Sequence, residues 1–392
     1  MILTLALKNR IRLSKFMGRM GFENNFLNYS VKNFCKLYPN GVNIPKINSQ
    51  LNQKNSEDIV KEIYENKINP DSNNISENPT LDLPKSKYSR ILKDLMQLTK
   101  FKLCILNSVV AISTYGLNST DLHQLTDFFL FFNGTMCIAM ASQVLNQITE
   151  KYEDSQMKRT CGRPLPKQRI SDKTAFKIFG GLWLMSTAMY SLTCPHAILF
   201  ANLILVLYNM AYTPQKKYSN LSMHLGAVVG ALPALLGNFA ATGVLFEENG
   251  VLLSLYVFAW QYVHFYGILY NNKEDYKKAG FKFISNDDSK IKFAYLQMLC
   301  AMVLMMYCVY KLYVGKSKIF GPINLVLFSV FFIKSLIPVM KFIKSPQKYA
   351  KPIIIKSYAP FMIVLFSYII SAFYNRKDLR DKKVIIKANI QI

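Results

Sequence analysis

From about residue 102 the chain presents repeated stretches of roughly 18 to 22 mostly uncharged residues, the length that crosses a hydrocarbon layer about 30 Å thick as helix. Nine are counted, over 102–118, 125–147, 176–194, 196–213, 224–245, 251–271, 293–314, 320–340 and 353–374. Backbone groups in lipid must be satisfied internally, and none of the runs shows the dyad alternation of barrel strands. The expected fold is therefore all-α, a polytopic membrane protein of about nine transmembrane helices. A hydrophobic content of 51%, with 13% aromatic residues, fits that class and not two soluble domains.

A net charge of +25 would suggest nucleic acid in a soluble protein. Here its distribution across the membrane is the informative quantity, and it excludes a nucleic-acid partner as the default reading. Lys and Arg crowd the loop after the second run (Lys151 to Lys173) and those after the fourth (Lys216, Lys217), sixth (Lys273 to Lys282) and eighth (Lys341 to Lys351). The intervening loops are nearly free of them, apart from Lys316 and Lys318. With nine spans the basic loops share one face, expected to be the matrix or cytoplasmic one. The basic tail 376–392 falls on the opposite side by that count and breaks the pattern. Seven scattered cysteines with no Cys-x-x-Cys pair read as small core residues.

Before Glu23 there is no acidic residue, while Lys8, Arg10, Arg12, Lys15 and Arg19 alternate with apolar side chains. Residues 1–40 are expected to be a mitochondrial presequence. The Asn/Lys-rich stretch 41–87 has too little apolar surface to offset ordering entropy and reads as a disordered linker. From Tyr88 the pattern turns amphipathic through Ile91, Leu92, Leu95 and Leu98, consistent with an interfacial helix leading into a transmembrane domain over 88–375.

The chemistry concentrates at the end of the second run. Asn146, Glu150 and Asp154 fall within about 80° of arc on a helix, with Glu153 about 20° to the other side of Asn146. Such a cluster at a membrane-helix end is costly unless it meets cations or lines a polar cavity. Hard oxygen ligands of this kind suit Mg²⁺, which takes one or two carboxylates plus substrate phosphate oxygens. Arg159 and Arg163 follow, offering forked donors for phosphate. Carboxylates for a cation beside arginines for phosphate make a metal-diphosphate clamp; a solvated helix end is the plainer alternative.

A second polar set follows the sixth run. His264 lies deep in an apolar stretch, with Trp260 four residues earlier on the same face. It is either a core histidine satisfied by a neighbour or an iron ligand or proton handler. Glu274 and Asp275 could hold a second Mg²⁺ or cap a solvated, lysine-rich loop. Small residues at Gly226, Gly230, Ala234, Gly237, Ala241 and Gly243 recur every three or four positions, as in close helix packing.

Taken together, NQITEKYEDSQMKRTCGRPL, YTPQKK followed by GAVVGALPALLGNFAATG, and WQYVHF followed by KEDYKKAG resemble the protoheme IX farnesyltransferase (heme O synthase) family of UbiA-type intramembrane prenyltransferases. The likeness covers about 95–375. It implies a helical bundle around a central cavity that binds farnesyl diphosphate through Mg²⁺, accepts heme b (protoheme IX) as the second substrate and releases heme O for heme A synthesis. It further implies residence in the mitochondrial inner membrane, beside heme A synthase and cytochrome c oxidase assembly factors. Asn146, Glu150 and Asp154 match the first polar motif and Arg159 and Arg163 its arginines. Lys216 and Lys217 match the basic pair for diphosphate, His264 the histidine after Trp260 on the heme side, and Glu274, Asp275 and Tyr276 the second acidic motif. Where the family shows Lys-Pro-Arg near the first span, this chain has Lys100-Phe101-Lys102. Two further readings stay open: a UbiA-type enzyme prenylating an aromatic ring for quinone synthesis, and a transporter or scaffold whose basic loops bind lipid phosphates.

Overall fold

The computed structural model describes residues 87–118, 125–315, 319 and 321–390, with side chains through Ala372. The basic N-terminal segment, the Asn/Lys-rich linker, Lys316 and Lys318 lie outside the described residues.

Every described element is helical. An amphipathic helix α1 (Lys87–Leu98) precedes α2 (Phe101–Asn118) and α3 (Leu125–Thr149). A short α4 (Lys151–Gln156) continues α3 after Glu150, with Glu150 N–H donating to Asn146 and Asp154 N–H to Glu150, so the α-helical ladder runs through the junction. Then come α5 (Asp172–Thr193) and α6 (Ala197–Val206), a π-turn over Leu207–Tyr212, α7 (Thr213–Tyr218), α8 (Leu221–Thr242), α9 (Glu248–Asn271) and α10 (Lys273–Lys278). The chain ends with α11 (Ile291–Val314), α12 (Pro322–Phe342) and α13 (Pro346–Ile390).

All nine apolar runs are helical, yet nine spans are not confirmed. Seven helices are individually long and apolar enough to cross a membrane, and α1 with α2 makes an eighth as a pair bent by 53°. The Asp172–Thr193 helix is not among them, because Lys173, Lys177, two glycines and several hydroxyls dilute its apolar character. The protein is a multi-pass membrane protein all the same. At its C terminus the helix begun at Pro346 does not stop where the apolar run does, but continues through the basic tail to Ile390.

Packing follows the distribution of small residues. Among the closest pairs, α3 packs on α5, α2 on α8, α9 on α8, α11 and α13, and α12 on α13. At the α2–α8 crossing, a Cβ on Gly237 would lie 1.8 Å from the Ala111 carbonyl oxygen, so only a hydrogen side chain admits this approach. Thr114 Oγ1 fastens the same crossing by donating to Ala234 O at 2.7 Å. One large cluster of buried side chains joins α2, α8, α9, α11, α12 and α13, and a second joins α2, α3, α5, α6 and α8. The described cysteines are unpaired; Cys104, Cys137, Cys194 and Cys308 are buried as expected, but Cys300 faces outward on α11.

Candidate active site

The end of α3 carries a buried polar knot. Asn146 is fully enclosed. Its Nδ2 donates to Glu150 Oε2 at 3.0 Å and Thr213 Oγ1 at 3.1 Å, while its Oδ1 accepts from Lys100 Nζ at 2.7 Å. Lys216 Nζ lies 2.9 Å from Glu150 Oε1 and 3.2 Å from Oε2, and sits 4.5 Å from the centre of the Tyr212 ring. Arg163 donates to Asp154 Oδ2 at 2.6 Å, and Lys217 pairs with Glu153. The i, i+4 spacing thus works as expected: one helix face gathers the acids, and each acid meets a cation from another element.

Local backbone explains how the cations arrive. The π-turn over Leu207–Tyr212 inserts extra residues before Thr213-Pro214, and π-bulges of this kind recur at functional sites. Asn209 anchors it by donating to Ser142 Oγ at 2.9 Å. That turn swings Lys216 and Lys217 onto α3 and α4. Lys100 stands between α1 and α2 with φ +46°, a left-handed conformation unusual for a long side chain. It closes α1 in the position usually given to glycine and begins α2 by accepting from Leu103 N–H.

Burial is the main force on Lys100. It pulls the ammonium down to about 7, with Arg163 and Lys216 adding repulsion and Glu150 and Asp154 only partly offsetting them. Burial also opposes ionisation of Glu150, but Lys216, Lys100 and Asn146 outweigh it and hold that carboxyl below the usual range. The Oε2 of Glu153 is buried without a hydrogen-bond partner.

The second acidic motif divides. Asp275 Oδ2 accepts from the Arg159 backbone N–H at 3.2 Å, and Arg159 reaches the Tyr276 hydroxyl at 3.4 Å, so α10 abuts the arginine loop. Glu274 is exposed and borders a cleft of about 350 Å³ lined also by Tyr270, Asn271, Asn272, Lys273, Asp275 and Gln347. Trp260 and His264 come together elsewhere, in the seam of α9 and α13. Their rings stack at 4.7 Å, Trp260 Nε1 donates to Ser357 O at 2.9 Å, and His264 Nδ1 meets Ser357 Oγ at 3.0 Å. Among the described residues no hydrogen bond, ion pair or ring contact ties this pair to the clamp.

Sequence alone assigns no role to Lys100 or Thr213 and does not pair Glu153 with Lys217. The Lys100-Phe101-Lys102 step at the edge of the first apolar run is the available signal for Lys100.

A family model described as the UbiA prenyltransferase family matches residues 107–355. The chain belongs to this family. Within UbiA prenyltransferases, its relatives include protoheme IX farnesyltransferases. That of Cytophaga hutchinsonii is 36% identical over 203 residues, covering 50% of this chain and 68% of the relative. The mitochondrial one of Arabidopsis thaliana is 40% identical over 154 residues, 39% of this chain and 35% of the relative. The fold is also that of a UbiA homolog from Archaeoglobus fulgidus bound to GPP and Mg²⁺, with a TM-score of 0.51 and 16% identity over 71% of this chain and 99% of that one. The protein is a UbiA-family transferase.

Proposed function

We propose that the protein transfers the farnesyl group of farnesyl diphosphate to a vinyl group of heme b, giving heme O, on the matrix side of the mitochondrial inner membrane. The observation that carries the diphosphate half is the convergence of Lys100, Arg163 and Lys216 on the buried Asn146–Glu150–Asp154 face. Three cations in so small and dry a space are stabilised by a polyanion, and Lys100, destabilised as an ammonium, has most to gain. Similarity to farnesyltransferases that name protoheme supports the acceptor.

The donor set suits Mg²⁺ without forming a cage for it. Among the described residues no three His, Cys, Asp or Glu side chains converge on one point, but Mg²⁺ needs only one or two carboxylates when phosphate oxygens complete its shell. Glu150 and Asp154 would hold one such ion, and Glu274 and Asp275 a second. When bound, the ion would supply Lewis-acid stabilisation of the departing diphosphate.

The chain's own groups do the rest. Arg159, Arg163, Lys216 and Lys217 bear on the leaving diphosphate as the allylic carbon–oxygen bond breaks and its electron pair goes to oxygen. The surrounding apolar helices keep water from the allylic cation until the vinyl π electrons form the new carbon–carbon bond. Water then adds its oxygen to the resulting heme-side cation and loses one proton, leaving the hydroxyethylfarnesyl group. Expression in cells lacking heme O synthase, followed by chromatography of extracted hemes, tests the reading. Recovery of heme O is expected, and a prenylated aromatic ring in its place would favour the quinone-type rival.

On the acceptor side, His264→Ala is expected to weaken heme binding several-fold, since the imidazole and the stacked Trp260 would border the porphyrin. Spectrophotometric heme titration of the purified protein checks it. An unchanged affinity would return His264 to the role its Ser357 contact suggests, a satisfied core histidine.

A further inference from the structure

The first helix is built differently from the rest. On α1, Tyr88, Ile91, Leu92 and Met96 are exposed, at 82%, 48%, 60% and 39%, and they cover roughly 140° of the helix surface. Lys93 and Asp94 lie on the remaining arc. Only the last turn is seated in the core: Leu98, at the edge of the same stripe about two turns beyond Ile91, is buried against Val144, Leu165 and Ala175. The apolar stripe is therefore not core. It belongs to a helix bent 53° from the more apolar α2 to which it is joined, and an amphipathic helix turned away from a membrane-crossing direction suits the headgroup layer.

This helix is also wired to the clamp at both ends of the site. Asp94 forms a bidentate pair with Arg169 at 2.8 to 3.1 Å, and Arg169 in turn donates to Gly162 O at 3.0 Å, the residue before Arg163. Gln147 Nε2 donates to the carbonyls of Gln97 and Leu98, each at 2.7 Å, so the last turn of α1 is held by the neighbour of Asn146. One residue further, the left-handed Lys100 delivers its ammonium to Asn146.

We propose that α1 docks on the headgroup layer of the lipid bilayer through Tyr88, Ile91, Leu92 and Met96, and that this seating positions Lys100 and the Arg163 loop to receive a diphosphate. The inference rests on the diphosphate reading of the clamp. Lys100 is then the link: a surface-bound arm fixes the direction of α1, the left-handed turn converts that direction into the placement of one cation, and Gln147 prevents the turn from rotating away. An arm lifted from the surface leaves the carboxylates in place and loosens the cations. Its loss therefore registers in diphosphate affinity and not in the turnover of bound substrate.

The test uses the full chain in phospholipid nanodiscs, with Mg²⁺ and inorganic pyrophosphate as the calorimetric probe and farnesyl transfer as a separate readout. Ile91→Ser/Leu92→Ser is expected to weaken pyrophosphate binding and raise KM for farnesyl diphosphate 5- to 10-fold, with kcat within 2-fold. Lys100→Met should give a loss of the same size, Lys100→Arg should restore most of it, and the triple variant should be no worse than Lys100→Met alone. Additive losses, or a double-serine variant that binds as wild type, would overturn the proposal. Wild-type protein that fails to bind pyrophosphate at all would instead remove the diphosphate reading beneath it, so the two failures are distinct. A detergent-solubilised control separates docking from folding: there, wild type and the double-serine variant should bind equally weakly, and a persisting difference counts against a role for the lipid surface.

Discussion

Asp154→Asn is expected to abolish heme O formation while the protein still inserts in the membrane, and Arg163→Ala to do the same. Asp154 is 1% exposed and holds Arg163 at 2.6 Å, while its backbone carbonyl accepts from Thr160 Oγ1 at 2.8 Å. Asp154 thus fixes the arginine through its carboxylate and the turn that carries it through its backbone carbonyl. The amide keeps the shape but removes the charge that aligns Arg163 and would share Mg²⁺. Removing one preorganised charge-stabilising group costs about 10² to 10³ in rate where its value has been measured. Here two act through one contact, so the double variant should lose little beyond either single one. Chromatography of hemes from the null strain, with membrane protein level as control, measures both effects. Wild-type heme O from either variant would sink the clamp assignment.

Gly237→Val is expected to prevent the bundle from assembling. The new Cβ would be 1.8 Å from Ala111 O and 2.4 Å from Thr114 Oγ1, and neither can retreat while Thr114 bonds Ala234 O. Overpacked cores commonly lose about 1–3 kcal/mol by side-chain adjustment. A clash with backbone leaves no such adjustment, and α2 would have to move away from α8, parting the helices that begin at Lys100 from those that follow Lys216. The expected result is loss of monodisperse protein on size-exclusion chromatography and a melting temperature lower by 10 °C or more, on the order of several kcal/mol in a domain of marginal stability. Normal melting of Gly237→Val would show that the two helices do not approach so closely.

Much of this was legible from the sequence because it depends on period. Nine apolar runs became helices since length and hydropathy decide that locally, and Asn146, Glu150 and Asp154 share a face because four residues are nearly one turn. Span number was less legible: the Asp172–Thr193 helix shows that a run can be helical without enough apolar character to count as a crossing. Within the site, what sequence could not reveal are the contacts between elements. Nothing local announces that Lys100 turns left-handed, that a π-turn brings Lys216 onto Glu150, or that Glu153 takes Lys217 as partner. The same limit governs Glu274 and Asp275, which border one cleft while only Asp275 bonds the arginine loop. Trp260 and His264 were rightly read as one face, but only the fold shows that face covered by Ser357 and Tyr358.

The mutual pairing of acids and bases in the knot has an effect on loading order. Each carboxylate is neutralised by a cation of the same clamp, so a divalent ion arriving alone must displace a lysine or arginine that then has no counter-ion. A diphosphate arriving alone leaves a buried carboxylate stranded in the same way, and stranding one member of a buried pair costs about 3–5 kcal/mol. Arriving together, the ion takes the acids and the diphosphate takes the bases. Under the proposed clamp, the site would act as a coincidence detector, filled by the complex of the two and resistant to either component by itself.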